Sequence, residues 1–326
     1  MSRLALARYA LKGPYQAATV VGALAVPGAF LPLFGGSASM MILITALLTL
    51  FSCALVGLII LTQGSVSGLK AIAVSMLGII LVASIVAEML DMGLSTGIWI
   101  GLSIGLVQWL PIVILAQTLR VTKSLGAMLL TGMGLALVVV LLQFALWPEV
   151  EDKWVMLIEQ SLALSPVAEL QIDPGIAANL KQHAQTMGHM MTLVLGASLY
   201  LLCTSILLFA RSMQAKLADS EGFREEFRAV VLGKRAALGA LVLLILGLWL
   251  QQDWIISMLL VVMTAFMFQG IAVVHVRTAA SKYRAFLIGL FYTLLLIFPQ
   301  ILAATAITGL IDNWLVLRKS ANAKTM

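Results

Sequence analysis

The sequence predicts an all-α integral membrane protein, a polytopic bundle of about nine transmembrane helices, and three observations carry that prediction. Of 326 residues, 62% are hydrophobic and only 10% charged, whereas soluble domains carry roughly a quarter charged residues. The mean hydropathy of +1.07 comes from apolar runs along the whole length, so it reflects neither one anchor nor a cleavable signal peptide on a soluble enzyme. The runs are also long enough to cross a bilayer, which takes about 20 apolar residues.

Nine runs qualify: 17–34, 40–62, 71–90, 97–118, 126–147, 188–210, 236–251, 254–276 and 285–310. Pro27 and Pro32 interrupt helix hydrogen bonding in the first run and Pro299 does so in the last, so either can be a broken or re-entrant element and eight crossings is the rival count. Two polar interruptions, 148–187 and 211–235, divide residues 1–326 of a single membrane domain into five spans, one span and three.

In the first interruption Val150, Trp154, Leu157, Ile158 and Leu162 recur at three- and four-residue steps among Glu149, Glu151, Asp152, Lys153, Glu159 and Gln160, which predicts an amphipathic helix. It reads either as a lid or partner-docking surface, or as a peripheral helix shielding the bundle. After Pro166 a second helical stretch starts near Asp173-Pro174, with Asp173 as N-cap and Pro174 at the first helical position, and leads into the sixth span. The second interruption places Phe223, Phe227, Val230 and Val231 at helical spacing beside Arg224 and Arg228. That pattern predicts a helix lying at the membrane interface with its cations toward anionic headgroups; it serves either to couple a partner or to position the next span.

Short cytoplasmic loops are enriched in Lys and Arg. With the N-terminus inside, Arg3, Arg8, Lys12, Lys70, Arg120, Lys123, the cations of 211–235, Arg277, Lys282 and Arg284 all face the cytoplasm, while Lys153, Lys181 and most acids lie outside. Nine crossings would leave Arg318, Lys319 and Lys324 outside, against the rule. The N-terminus of this multi-pass protein is therefore expected to be cytoplasmic, and the resemblance given below implies a bacterial inner membrane. The net charge of +6 sits between spans rather than in one soluble patch, so the partner is the lipid bilayer and not nucleic acid. Cys53 and Cys203 lie inside apolar runs and form no CxxC pair, zinc spacing or disulfide framework.

The stretch Gly222-Phe223-Arg224-Glu225-Glu226-Phe227-Arg228 with Leu232-Gly233-Lys234-Arg235, the closing Gly309-Leu310-Ile311-Asp312-Asn313-Trp314 with Arg318, and the early Ala54-Leu55-Val56-Gly57-Leu58 leading into Gly64 resemble the YybS-like bacterial membrane family, whose biochemical activity is not established. The resemblance runs over essentially the full chain, although Thr62-Gln63-Gly64 stands where the family would carry basic residues. The family is usually compared with the substrate-binding subunits of energy-coupling-factor vitamin transporters, a fold-level analogy. Those subunits meet a membrane partner through an Ala-x-x-x-Ala face, and the resemblance implies such a role for Ala25 and Ala29; small residues four apart allow close helix approach, and ordinary packing explains the pair as well.

Catalytic signatures are sparse: there is no phosphate loop and no His-Glu-x-x-His. Gly101-Leu102-Ser103-Ile104-Gly105 fits the Gly-x-Ser-x-Gly string, but a nucleophile elbow needs a strand-to-helix turn and this string lies within an apolar helix, where Gly101 and Gly105 read as a packing face. His183, Met187 and Met190 or Met191 share a helical face of a kind that suits copper, yet with 17 methionines the spacing arises easily by chance. No cofactor, metal site or enzymatic activity is expected. Polar residues within spans must find partners or line a cavity; Glu88, Gln108 and Gln269 are the pocket candidates, and interhelix hydrogen bonding is the alternative. Two function classes remain. One is a transport-related small-molecule-binding component; the other is a scaffold that recruits envelope or cytoplasmic proteins through Phe223, Arg224, Phe227 and Arg228.

Overall fold

The computed structural model describes residues 3–30, 38–147, 149–163, 174–220, 222–315 and 317–318. Among these described residues thirteen helices follow in chain order: α1 (Arg3–Ala10), α2 (Pro14–Phe30), α3 (Ala38–Gln63), α4 (Ser65–Met89), α5 (Leu94–Thr122), α6 (Leu125–Leu146), α7 (Val150–Ala163), α8 (Pro174–Leu217), α9 (Gly222–Arg228), α10 (Lys234–Leu250), α11 (Asp253–Arg277), α12 (Arg284–Ile297) and α13 (Pro299–Leu315). No strand occurs among the described residues. Within them, six helices are long and apolar enough to cross a membrane, and seven if the bent pair α12–α13 counts as one span. The first and seventh apolar runs become α2 and α10, each of 17 residues, at the lower limit of the length that crosses a bilayer.

The prolines act differently from one another. Pro27 sits inside α2, which continues to Phe30, and Pro111 sits inside α5. Pro299 instead opens α13, and the axis turns by 118° at Phe298 between α12 and α13. Pro32, Pro166 and Asp173 lie outside the described residues, and so does any N-cap role of Asp173. Pro174 opens α8 as the sequence predicts, but α8 then runs unbroken for 44 residues, absorbing both the end of the outer interruption and the start of the inner one. α7 forms where the periodicity predicts, with Val150, Trp154 and Ile158 half-buried; Leu157, expected on the same face, is exposed. The inner helix is shorter than expected. α9 stops at Arg228, so Val230 and Val231 do not continue the face of Phe223 and Phe227: Val230 is buried at 2% exposure and Val231 is exposed at 49%.

The chain forms two compact units, Met1–Gly132 with Leu202–Val230, and Met133–Leu201 with Val231–Met326. In the first unit α5 packs on α4 through a glycine every fourth residue. A Cβ at Gly97 would collide with Ser84, one at Gly101 with Ile80 and one at Gly105 with Met76, so the close approach available only to small residues sets this pair. The expected packing face of Gly101 and Gly105 is thus present. α2 closes on the same unit: Ser75 Oγ donates to Ala18 O at 3.2 Å, and Ser52 Oγ donates to Val21 O while accepting from Trp109 Nε1, both at 3.4 Å. At one end, the α3–α4 turn needs Gly64 at φ +104°, where Arg120 lies over it. Gln63 Nε2 donates to Leu11 O at 2.6 Å and Gln214 Nε2 donates to Leu61 O at 2.9 Å.

The second unit is built around α11, whose residues from Val261 to Val273 are mostly buried. Gly196 of α8 lies against Val140 of α6 and Val261 of α11, and Tyr200 meets Phe268 edge-on with centroids 6.1 Å apart. α11 and α13 cross at glycine on both sides. A Cβ at Gly270 would strike the carbonyl of Thr305, and one at Gly309 the carbonyl of Phe266.

Candidate functional site

That crossing carries a polar node. Gln269, with no exposed surface, accepts the Leu232 N–H at Oε1 and donates from Nε2 to Asp312 Oδ2, both at 3.0 Å. Arg318 Nε donates to the same Asp312 oxygen at 2.9 Å. Asn313 Oδ1 accepts the Gly233 N–H at 3.0 Å, and its Nδ2 donates to the carbonyls of Gly309 and Leu310. Local sequence explains this arrangement. Gly233 adopts φ +91° and no side chain of its own caps α10, so the amides before α10 are satisfied by Gln269 and Asn313 from neighbouring helices.

One atom of the node is left over. The Asp312 side chain is only 2% exposed, yet its Oδ1 has no hydrogen-bond partner. A buried, unsatisfied carboxylate oxygen costs free energy, and an ionisable group within a membrane-embedded helix is first a candidate for function. What the node can do chemically is receive a hydrogen-bond donor at Oδ1, while Arg318 and Gln269 donate to Oδ2. Asp312 falls just past the end of the last apolar run at residue 310, so the polar-residue-in-a-span criterion does not select it. The signal available was an acid and an amide on the last turn of an apolar helix, with a cation six residues on.

The three pocket candidates do not come together. Glu88 is exposed at the end of α4. Gln108 is half-buried on α5; its carbonyl accepts Cys53 Sγ at 3.4 Å, while its buried Nε2 has no partner. Since Gly97 abuts Ser84 and Gly105 abuts Met76, Gln108 lies level with residue 73 of α4, about 22 Å along the axis from Glu88 at 1.5 Å per residue. Both belong to the first unit, whereas Gln269 belongs to the second and is the member that reaches the node. The first unit has its own cavity of about 260 Å³ between α3 and α8, lined by Leu47, Phe51, Ala54, Ser205, Ile206 and Phe209 among others; none of the three candidates lines it.

Of the docking candidates, Ala25 is fully buried and Ala29 half-buried on α2. The same helix sets Gly22 against Ser75 of α4 and Gly28 against Thr49 of α3, so the small-residue face is used within its own unit. Phe223 and Phe227 are half-buried with ring centroids 6.2 Å apart. Arg224 is exposed, Arg228 is half-buried, and α9 is tied to α8 by the Arg211–Glu226 ion pair. Ser103 donates to Trp99 O at 2.8 Å within α5, with no elbow to activate it. His183, Met187 and Met190 are exposed, and among the described residues no group of three or more His, Cys, Asp or Glu side chains is arranged to hold a metal ion. No protein-family model, curated protein or solved structure matches the chain.

Proposed function

We propose that this chain is a non-enzymatic, transport-related component of a bacterial inner membrane that holds a small polar ligand at the Asp312–Gln269–Arg318 node. The observation that carries the reading is the unpartnered Oδ1 of Asp312 on the last turn of α13. Ionisable groups in apolar helices of membrane proteins mark ligand and ion sites, and nothing in the node itself uses this oxygen. The ligand is a neutral or weakly polar hydrogen-bond donor, since Arg318 already compensates the carboxylate. Kinship with the YybS-like family belongs to the same proposal: the Gly309–Trp314 motif and Arg318, which carry the resemblance, are the residues that build the node.

The test is to purify the full chain in lipid nanodiscs and identify by mass spectrometry the small molecules released on denaturation. A compound retained by the wild type should fall at least about tenfold in Asp312→Asn, the loss expected when a charged hydrogen-bond acceptor is removed. Equal content in both, with the fold intact, overturns the reading.

The topology that goes with it has eight crossings, α2 to α6, α8, α10 and α11, followed by a re-entrant hairpin. Six residues separate α11 from α12, and the Asn313–Gly233 bond brings the end of α13 to the start of α10. Both ends of the hairpin are then on one side, and Arg318 joins Lys234 and Arg235 in the cytoplasm as the positive-inside rule asks. Impermeant labelling in intact cells, with Cys53 and Cys203 replaced, should mark Gln160→Cys and spare both Ser220→Cys and Leu317→Cys. Labelling of Leu317→Cys would restore nine crossings. A scaffold role has one observation in its favour, the fixing of α9 by Arg211 and Glu226 with Arg224 exposed; in that case charge reversal at Arg224 and Arg228 strips a co-purifying protein, and Asp312→Asn does not.

A further inference from the structure

The second unit holds another polar cluster, on α11 but far from the node. His189 of α8 lies between two carboxylates, its Nδ1 3.1 Å from Glu151 Oε2 of α7 and its Nε2 3.9 Å from Asp253 Oδ1. Asp253 is the first residue of α11, 16 residues before Gln269, which is about 24 Å at 1.5 Å per residue. The backbone beneath is fixed: Gly188 packs against Val155 and the Glu151 carbonyl, and Thr192 Oγ1 donates to Gly188 O at 2.9 Å.

An imidazole between two carboxylates cannot serve both in its neutral form. It then has one N–H and one bare lone pair, so a ring that donates to Glu151 turns its lone pair toward Asp253; the imidazolium donates to Glu151 and attracts the Asp253 carboxylate 3.9 Å away. Side-chain exposures of 41% for His189, 43% for Glu151 and 45% for Asp253 leave the site open to solvent protons. The charged neighbours on the packed elements are Glu151, Asp152 and Lys153 on α7 and Asp253 on α11, and the α6 residue bonded to this part of α8 is the neutral Gln143. Among these, Glu151 and Asp253 are the groups in ion-pair range of the ring.

We propose that His189 is a proton-operated latch between α8 and the first turn of α11, closed in acid and open in alkali, with Glu151 keeping the ring oriented in both states. The proposal is independent of the ligand reading. It makes the face carrying α7 and the α10–α11 turn responsive to external pH, and it would do so in a scaffold as well as in a transport component.

Pulsed electron paramagnetic resonance tests it on the full chain in nanodiscs, with spin labels at the exposed positions Lys153→Cys and Gln252→Cys and with Cys53 and Cys203 replaced. Between about pH 5 and about pH 8, the range in which histidine changes charge, the wild type should pass from one short distance to a mixture with a longer one. The population ratio should change by roughly fivefold at most, the ceiling for ion pairs this exposed. His189→Gln should abolish the response. Asp253→Asn should hold the short distance at both pH values, because an amide N–H can donate to the neutral ring's lone pair. Identical distributions in the wild type at both pH values, or a pH response that survives His189→Gln, overturns the latch.

Discussion

Arg318→Gln is the most informative single change in the node. It removes the cation from a carboxylate that is 2% exposed, leaving Asp312 with the Gln269 amide at 3.0 Å as its remaining donor. Breaking one side of a buried ion pair costs about 3–5 kcal/mol, because the other charge stays buried and uncompensated. Gln269 retains part of that compensation and Arg318 itself is 16% exposed, so about 3 kcal/mol is expected, roughly a hundredfold in the folding equilibrium. Asp312→Asn alone should cost less, since it discharges the buried site. The double variant Asp312→Asn with Arg318→Gln should recover more than about 1 kcal/mol of the sum, the coupling expected of side chains in contact. Steric-trapping or denaturant unfolding in bicelles measures all four proteins. A loss below about 0.5 kcal/mol for Arg318→Gln, or strict additivity in the cycle, would refute the view of this pair as a buried, mutually dependent one.

Gly309→Ala should lower thermal stability by at least the 1–3 kcal/mol typical of overpacking, because the new Cβ meets the Phe266 carbonyl rather than a movable side chain; Gly239→Ala on α10, with nothing within 4 Å, is the matched control and should be close to neutral in the same melt. Ala25→Leu should likewise destabilise by about 1–3 kcal/mol through crowding of a position with no exposed surface, and a melting temperature equal to wild type would mean that the face is free for a partner after all. Replacing Phe223 and Phe227 together by Asp should speed proteolysis between Leu217 and Gly233; unchanged cleavage kinetics would deny these half-buried rings any part in anchoring α9.

How much of this could be read in advance depended on the range of the interaction. Composition and run length were sufficient for the helical membrane class, and Pro174 marked the start of α8 because its effect is local. The Gly101 and Gly105 face could be read because four-residue spacing is itself the geometry of contact. Nothing comparable marks the division into two units, since α6 and α8 each contribute residues to both without any change in composition. Glu88, Gln108 and Gln269 were chosen as polar residues in apolar runs, a criterion blind to which helix each one faces. Only Gln269 points into a polar partner set, and that set is completed by residues 43 and 49 positions later in the chain, Asp312 and Arg318. Pro27 and Pro299 both interrupt apolar runs in the sequence, yet Pro27 is housed inside α2 and Pro299 opens a new helix.

The hairpin of α12 and α13 also constrains how the protein is made. A nascent chain delivers the apolar stretch 284–315 after α11, with an acid three residues before its end, and an isolated carboxylate enters hydrocarbon only at high cost. Synthesis order removes much of that cost. α11 has already left the ribosome when Asp312 emerges, so the Gln269 amide is in place to receive it, and Arg318 follows six residues later, so acid and base can partition together as a neutral pair. The hairpin is therefore suited to insert by docking onto α11 as well as by its own hydrophobicity, and a chain stopped just before Arg318 would carry every apolar residue of the hairpin and still be poorly equipped to seat it.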